Sequence, residues 1–269
     1  MKEKETDIPP EHPRAESLLI RERLVGHHES GIVAEAGLFA HGRGEAFDYL
    51  LGEKTTKNAL DAIEATATAL LTAKLSVISV NGNAAALVAK DIVKLAEVTG
   101  AKIEVNLFYR SAEREIAIKK LLREAGAKQV LGVGKAASAR IVEVGSERRR
   151  VDPAGILIAD VVLVPLEDGD RTEALVKMGK KVIAIDLNPL SRTAQFATIT
   201  VVDNIVRALP TIVEVAEKLK KEDRNKLKAV LANFDNRKNL GEAINIIDRR
   251  LSKLAEKGTY ISISRSEEK

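Results

Sequence analysis

The stretch "LSVISVNGNAAALVAKDIVKLAEVTGAKIEVNL", residues 75–107, decides the fold. It opens with an apolar run, 75–80, which has the length of a buried strand and stops at an Asn-Gly-Asn turn. Apolar residues then recur at helical spacing, at Leu87, Val88, Ile92 and Leu95. Gly100 can end that helix, and the apolar run 102–107 supplies a second strand. Two strands separated by a helix predict a βαβ unit, in which the strands are parallel.

The same alternation of strands and helices continues towards the C-terminus. Four further apolar runs predict strands, at 129–133, 159–165, 181–186 and 197–202. Helices are predicted after Ser111, which can cap the helix 112–126, and at 171–179. The pattern predicts an α/β fold with a mostly parallel sheet and helices on both faces. We expect one domain, with an N-terminal helical segment (1–73), an α/β core (74–203) and C-terminal helices (204–269).

Both terminal segments carry features that predict local structure. The stretch "AGLFAHGRGEAFDYLLGE" at 36–53 is punctuated by glycines, which predicts an exposed loop around Arg43. Near the C-terminus, the apolar residues from Leu240 to Leu254 form a narrow stripe that is typical of a coiled-coil seam. The stripe packs either against the core of the same subunit, which we favour, or against a second subunit.

The composition restricts the class of protein. Of 269 residues, 45% are apolar and 30% are charged, which is the balance of a soluble globular chain. No apolar run reaches the length of a membrane span, and the charged start "MKEKETDIPPEHPR" lacks the apolar core of a secretory signal. The absence of cysteine excludes disulfides and thiolate chemistry. These features predict a cytoplasmic protein.

Charge and aromatic content argue against a nucleic-acid partner. The net charge is only +4 and aromatic residues make up 3%, whereas nucleic-acid binders concentrate basic residues and use aromatic rings for stacking. The one dense basic run is "SERRR" at 146–150. We therefore predict a surface suited to anionic small molecules, with no nucleic-acid or membrane partner.

Polar clusters follow five of the predicted strands. In an open parallel sheet, ligands bind outside the carboxyl ends of the strands, so these clusters are expected to share one crevice. They lie at 81–83, 108–111, 167–171, 186–192 and 203–204. Each alone also has an ordinary structural explanation, because Asn-Gly is often a turn and Asp or Ser often caps a helix.

The residue types in these clusters favour an anionic ligand. Helix N-termini offer free N–H groups to phosphates, and arginines can bind phosphates through two hydrogen bonds. The candidate arginines are Arg21, Arg43, Arg110, Arg171 and Arg192. The carboxylates could hold a magnesium ion that bridges phosphate oxygens, or could receive a substrate amine. A standard phosphate-binding loop is missing, because in "GVGKAASAR" (132–140) the first glycine is misplaced and Ala136 replaces the required Ser or Thr.

Longer blocks of the sequence, in the same order, carry a resemblance to a known family. They are "AHGRGEAFDYLLGE" (40–53), "VNGNAAALV" (80–88), "VNLFYR" (105–110), "VPLEDGDRTEALVKMGK" (164–180), "IDLNPLSRTA" (185–194) and "TVVDNIVRA" (200–208). Together they resemble archaeal phosphopantothenate synthetase, also called 4-phosphopantoate–β-alanine ligase. The resemblance runs from about residue 8 to the end, and the stretch 126–158 departs from the pattern of the family.

The resemblance implies a homodimeric Rossmann-like enzyme of coenzyme A biosynthesis. Such an enzyme would condense (R)-4-phosphopantoate with β-alanine to 4'-phosphopantothenate through an acyl-adenylate. It would use ATP as co-substrate, with Mg2+, and release AMP and diphosphate. By position in the matching blocks, the ATP-binding residues would be Arg21, Arg43, Asp186, Leu187, Asn188, Arg192, Thr193, Asn204 and Ile205. The substrates would meet Asn81, Asn83, Tyr109 and Arg110, and the catalytic residues would be Asp168, Asp170, Arg171 and Arg43.

Two alternatives remain open at this point. The chain could be another nucleotide-dependent enzyme on the same fold, since a fold does not determine a substrate. It could also be a non-catalytic RNA-binding module that uses the basic run 146–150, in which case its affinity would fall steeply with salt.

Overall fold

The computed structural model describes residues 8–258. The predicted terminal segments also contain 1–7 and 259–269, which lie outside the described residues. In chain order, the helices and strands are α1 (Ala15–Glu29), α2 (Glu35–Leu51), α3 (Lys57–Thr72), β1 (Ser76–Val80), α4 (Gly82–Thr99), β2 (Lys102–Val105), α5 (Ala112–Glu124), β3 (Ala139–Arg140), β4 (Arg150–Val151), β5 (Val161–Pro165), α6 (Gly169–Lys177), β6 (Lys181–Ile185), α7 (Arg192–Phe196), β7 (Ile199–Val201), α8 (Ile205–Leu219), α9 (Arg224–Asn233) and α10 (Asn236–Lys257). Between 8 and 258, no helix is both long enough and apolar enough to cross a membrane.

Five strands form one parallel sheet in the order β2-β1-β5-β6-β7. Ile78 in β1 lies opposite Ile103 on one side and Leu163 on the other, so the chain crosses from one side of β1 to the other between β2 and β5. Such a reversal opens a crevice at the carboxyl ends of the two strands. The predicted Rossmann-like α/β fold is confirmed, and the crevice is expected between β1 and β5.

The alternating side chains of the strands divide the core between the two faces of the sheet. On one face, Ile78 and Leu163 belong to a cluster that includes residues of α1, α3, α4, α5 and α8. On the other face, Val77 and Val162 pack with α6 and with apolar residues of the segment 139–159. Burial of apolar area on both faces contributes about 25 cal/mol per Å2 removed from water, which explains the continuous apolar character of the strands.

Predicted helix ends are confirmed at Ser111, which caps α5 by accepting a hydrogen bond from the N–H of Arg114 (3.2 Å), and at Gly100, which ends α4 with φ +77°. Two other local predictions are wrong. The run 129–133 is not a strand, because the chain turns away at Gly132 (φ +76°) after a single bridge to the sheet. The stretch 36–53 is not a loop, because most of it lies in α2, which ends only at Gly52 (φ +91°).

The segment 126–158, between α5 and β5, folds over the second face of the sheet. It contains the antiparallel pair β3-β4 and two single turns of 3-10 helix. Glu104 in β2, which is 0% exposed, accepts hydrogen bonds from the N–H groups of Asp152 (2.9 Å) and Ile156 (2.6 Å). Gly155 lacks the Cβ that would lie 2.0 Å from Oε2 of Glu104. The carboxylate of Glu104 therefore anchors the segment to the sheet.

The apolar stripe of α10 is divided between packing and exposure. Leu240 is buried and packs with Leu51 and Leu187 of the same chain. Further along the helix, Ile244 and Leu251 are 41% and 44% exposed. The favoured prediction, packing against the same subunit, is confirmed for Leu240 and Ile247, while Ile244 and Leu251 are exposed.

Candidate active site

A pocket of about 610 Å3 lies over the carboxyl ends of all five strands of the sheet. Each of the five predicted clusters contributes to its lining, and α2 supplies a further wall. The prediction that these clusters share one crevice is confirmed. The predicted residues that line the pocket are Arg43, Asn81, Asn83, Tyr109, Asp168, Asp186, Leu187, Asn188, Arg192, Thr193, Asn204 and Ile205.

Two residues expected in the site, Asp170 and Arg21, lie outside the pocket lining. Asp170 is exposed in the first turn of α6, where a negative charge interacts favourably with the helix dipole. Arg21 on α1 donates two hydrogen bonds to Oε2 of Glu45, at 2.7 and 3.0 Å, and so joins α1 to α2. The helix dipole therefore accounts for the position of Asp170, and the ion pair with Glu45 accounts for that of Arg21.

Arg171 and Arg110, also expected in the site, are buried beneath the strand ends and do not line the pocket. The side chain of Arg171 is 0% exposed and forms a short ion pair with Glu167. The side chain of Arg110 is 3% exposed and pairs with Glu115 in the same way. A buried charge needs a buried partner, and each of these guanidinium groups has one within the protein. Both arginines therefore support the pocket from within the core.

Asp168 occupies the N-cap position of α6, but its side chain does not cap the helix. Instead, its Oδ2 lies 2.6 Å from Nε of Arg148, and the carboxylate is 38% exposed in the pocket. Burial raises the pKa of Asp168, an effect that the positive charge of Arg148 partly offsets. Helix capping, the ordinary structural explanation for an aspartate at this place in the sequence, therefore does not account for the position of the Asp168 side chain.

Arg148 is a pocket residue that sequence reasoning missed. It belongs to the basic run 146–150, yet it is only 6% exposed, and its Nε lies 3.0 Å from Oε1 of Glu167. The run lies between α5 and β5, away from the carboxyl ends of the five strands of the parallel sheet along the chain, so no local pattern indicates that it reaches the pocket. With Arg148 buried, the run does not form the open basic surface on which the RNA-binding alternative depended.

The end of β6 forms a polar loop beside Arg43. Asp186 accepts hydrogen bonds from the hydroxyl of Ser191 and from the N–H of Asn188 (2.9 Å), which fixes this loop. Burial raises the pKa of Asp186, and the two hydrogen bonds and the charge of Arg43 partly offset the effect. Arg43 and Arg192, the first residue of α7, are both exposed, so two guanidinium groups line this side of the pocket.

Asn81 and Asn83 combine positions in the pocket lining with structural contacts. Asn81 caps α4 by accepting a hydrogen bond from the N–H of Ala84 (3.0 Å), and its amide donates to the carbonyl of Leu166 (3.0 Å). Asn83 donates to the carbonyl of Gly37 (2.8 Å), where α2 approaches α4 closely. These contacts hold β1, β5 and α2 together around the pocket.

His41 on α2 also faces the pocket. Burial lowers the pKa of His41, so its imidazole is neutral at pH 7. Its Nε2 is buried and has no hydrogen-bond partner among residues 8–258. The uncharged ring therefore lies in the pocket wall with one buried nitrogen that no described residue satisfies.

The acidic residues of the pocket do not form a metal centre of their own. In the described part of the chain, no group of three or more His, Asp or Glu side chains is placed to hold an ion. Glu167 is already paired with two arginines, which leaves Asp168 and Asp186 as the other carboxylates in the lining. A magnesium ion that is bound to phosphates needs only one or two carboxylates, so this donor set fits an ion that arrives with a phosphate ligand.

Comparison with known proteins identifies the family. Residues 58–250 match the model of the phosphopantothenate/pantothenate synthetase family. The chain belongs to this family. A 4-phosphopantoate–β-alanine ligase of Methanosarcina mazei is 51% identical over 255 residues, which cover 95% of this chain and 100% of that protein. Proteins of the same name from Thermococcus kodakarensis and Thermococcus onnurineus are 51% identical over 255 and 254 residues, or 94% of this chain and 97% of each relative.

The match to family members covers both sides of the pocket. The family model begins at 58 and spans the sheet, while the alignment over 255 of 269 residues also takes in α2, which carries Arg43 and His41. The resemblance found in the sequence blocks is confirmed. Because the relatives are ligases, the alternative of a non-catalytic module is not supported.

Proposed function

We propose that the protein condenses 4-phosphopantoate with β-alanine to 4'-phosphopantothenate, an acid–amine ligation of coenzyme A biosynthesis. ATP is the co-substrate, and AMP and diphosphate are the other products. The names of relatives that match almost the whole chain support the proposal.

The observation that carries the proposal is the division of one pocket into two sides that meet at β5. The side formed by β6, β7 and α2 presents exposed guanidinium groups, those of Arg43 and Arg192. The side formed by β1 and β2 presents the polar groups of Asn83 and Tyr109, together with the guanidinium of Arg114 from α5. Asp168 follows β5 and lies between the two sides. A site that brings two phosphorylated molecules and an amine together needs both signs of charge at their meeting point.

The reaction has two balanced steps. A carboxylate oxygen of 4-phosphopantoate attacks the α-phosphorus of ATP, and the bond between the α- and β-phosphates breaks, giving an acyl-adenylate and diphosphate. The neutral amine of β-alanine then attacks the acyl carbon, the bond from that carbon to the adenylate oxygen breaks, AMP leaves, and the nitrogen releases one proton to solvent as the amide forms. Positioning and charge stabilisation by the protein account for the catalysis in this scheme.

We assign ATP to the side formed by β6, β7 and α2. The assigned residues are Arg43, Asp186, Leu187, Asn188, Arg192, Thr193, Asn204 and Ile205. Arg43 and Arg192 suit phosphate oxygens because a guanidinium can donate two parallel hydrogen bonds. Leu187 and Ile205 are the apolar members of the set and suit the base.

We assign 4-phosphopantoate to the side formed by β1 and β2, with Asn81, Asn83 and Tyr109, and the amine of β-alanine to Asp168. β-Alanine arrives as an ammonium ion and must lose one proton before it can attack. A carboxylate with a raised pKa can first pair with the ammonium and then accept that proton.

Magnesium would accompany ATP and neutralise charge on the leaving diphosphate. Asp186, on the side assigned to ATP, is the carboxylate that could complete its coordination. We also propose a homodimer, as the family resemblance implies.

Product analysis tests the proposed function. The protein, incubated with ATP, 4-phosphopantoate and β-alanine, should form AMP, diphosphate and 4'-phosphopantothenate in equal amounts, and form no amide when either the acid or the amine is omitted. Formation of ADP and phosphate instead would support the other alternative, a different nucleotide-dependent enzyme on this fold.

A further inference from the structure

The guanidinium of Arg148 belongs to the charge cluster at the end of β5 but has no role in the reaction as proposed so far. Nε of Arg148 lies 3.0 Å from Oε1 of Glu167 and 2.6 Å from Oδ2 of Asp168. The side chain of Glu167 is 1% exposed and already has a second buried partner in Arg171. The side chain of Asp168 is 38% exposed. Asp168 is therefore the partner that Arg148 can exchange with a molecule in the pocket.

Arg148 itself is held in place from behind. Asn106, which is 0% exposed, donates its side-chain amide to the carbonyls of Arg148 and Arg150, both at 3.1 Å. In return, Nη1 of Arg148 donates to the carbonyl of Asn106 (3.2 Å). These three hydrogen bonds fix both the main chain and the guanidinium, so Arg148 would stay at the pocket wall if Asp168 moved away.

We propose that Arg148 binds the carboxylate of the acid substrate, and that this carboxylate replaces Asp168 as the partner of the guanidinium. The inference rests on the proposed function, because it takes 4-phosphopantoate as the acid. The exchange of one carboxylate for another leaves the charge of the cluster unchanged, which matters because an uncompensated buried charge is costly.

The position of Arg148 indicates that it binds the carboxylate of 4-phosphopantoate rather than its phosphate. The guanidinium lies beside the residues that follow β5, where the side assigned to ATP meets the side assigned to the acid. The carboxylate must reach the α-phosphate of ATP, so it belongs at this boundary. Asp168, once released from Arg148, can pair with the ammonium of β-alanine, and the acid therefore binds before the amine.

The test measures exchange of labelled diphosphate into ATP with 4-phosphopantoate and without β-alanine, which reports binding of the acid and formation of the adenylate. The Arg148→Gln variant should raise the KM for 4-phosphopantoate about thirtyfold, the typical loss for a hydrogen-bonded charge, with the KM for ATP within about twofold of wild type. Arg148→Lys should recover part of the loss, because lysine keeps the charge but not the paired donors. Arg149→Gln is the matched control from the same basic run, since Arg149 is 39% exposed and does not line the pocket.

Two further measurements cover an Arg148→Gln variant that does not fold and distinguish the carboxylate of the acid from its phosphate. If Arg148→Gln does not fold, the double variant Arg148→Gln/Asp168→Asn removes both members of the pair and should fold while keeping the raised KM. Pantoate, which lacks the phosphate, should show the same proportional rise in KM, since its carboxylate is unchanged.

The outcomes separate the two proposals. An unchanged KM for 4-phosphopantoate in a folded Arg148 variant would overturn the inference, as would a rise confined to 4-phosphopantoate and absent with pantoate. If the wild-type protein shows no exchange that depends on 4-phosphopantoate, the proposed function itself fails.

Discussion

Asp168 and Asp170 are two positions apart but have different surroundings. Asp168 lines the pocket and faces Arg148, whereas Asp170 is exposed outside the pocket on the first turn of α6. Asp168→Asn should lower the rate of amide formation at least about tenfold, because the amide cannot accept a proton from the amine. Asp170→Asn should leave the rate within about twofold and cost about 0.3–1 kcal/mol of stability through the helix dipole.

Exchange of diphosphate into ATP locates the step at which Asp168 acts. In Asp168→Asn, retained exchange together with slow amide formation would place the carboxylate at the amine, as proposed. A normal rate of amide formation in Asp168→Asn would show that Asp168 does not act on the amine. A larger loss of rate in Asp170→Asn than in Asp168→Asn would contradict the placement of Asp168 inside the site and Asp170 outside it.

Arg43 tests the assignment of ATP to one side of the pocket. It is exposed, lines the pocket and lies close enough to Asp186 for its charge to offset part of the rise that burial causes in the pKa of Asp186. Arg43→Ala should raise the KM for ATP about tenfold while the melting temperature stays unchanged, because a lost charge-assisted hydrogen bond costs about 1.5–3 kcal/mol. Arg249→Ala, which changes an exposed arginine of α10, serves as the control. An unaltered KM for ATP in Arg43→Ala would contradict the assignment.

At the scale of elements, the segment 126–158 depends on the buried carboxyl of Glu104. Burial raises the pKa of Glu104 to about 7. In the unfolded chain the group titrates near its ordinary value of 4.5, so its contribution to stability is complete below pH 4.5 and is lost as the pH rises through 7. A shift of this size corresponds to about 3 kcal/mol.

Chemical denaturation at several pH values between 4.5 and 8 measures this contribution. The free energy of unfolding of the wild type should fall over this range relative to that of Glu104→Gln, which cannot titrate. Glu143→Gln, which changes an exposed carboxylate of the same segment, should follow the wild type. Parallel curves for the wild type and Glu104→Gln would show that Glu104 does not titrate as described.

The strands and the strand-end clusters could be predicted from the sequence because their patterns are local. Apolar runs such as 75–80 end at polar residues, and the parallel topology then brings the clusters together. The helix around Arg43 could not be predicted in this way, since glycines favour a loop by local criteria and only packing against α4 explains Gly37. Arg148 was missed for a related reason: its position depends on hydrogen bonds with Asn106, which directly follows the distant strand β2.

Four predicted site residues do not line the pocket, again because the local sequence does not determine where a side chain points. Arg171 follows a strand in the sequence, and its side chain enters the core because Glu167 supplies a buried partner there. Spacing along the chain gives the position of a charge relative to a strand end, but the direction of a side chain depends on tertiary partners.

At the scale of the whole molecule, we expect a dimer in solution. Ile244 and Leu251 of the α10 stripe expose apolar area that a partner could cover. Light scattering at micromolar concentration should give twice the mass of one chain, and a monomer would contradict this expectation. A Leu251→Asn variant that remains fully dimeric would place the contact away from the stripe.

The most direct test of acyl transfer in this pocket follows one oxygen atom. With 4-phosphopantoate labelled with 18O in both carboxylate oxygens, ATP and β-alanine, the proposed reaction transfers one 18O to the phosphate of AMP, because the oxygen that attacks the α-phosphorus leaves with AMP. The predicted result is AMP that carries one labelled oxygen, in the same amount as the 4'-phosphopantothenate formed. Label in inorganic phosphate or in diphosphate, with none in AMP, would contradict the account.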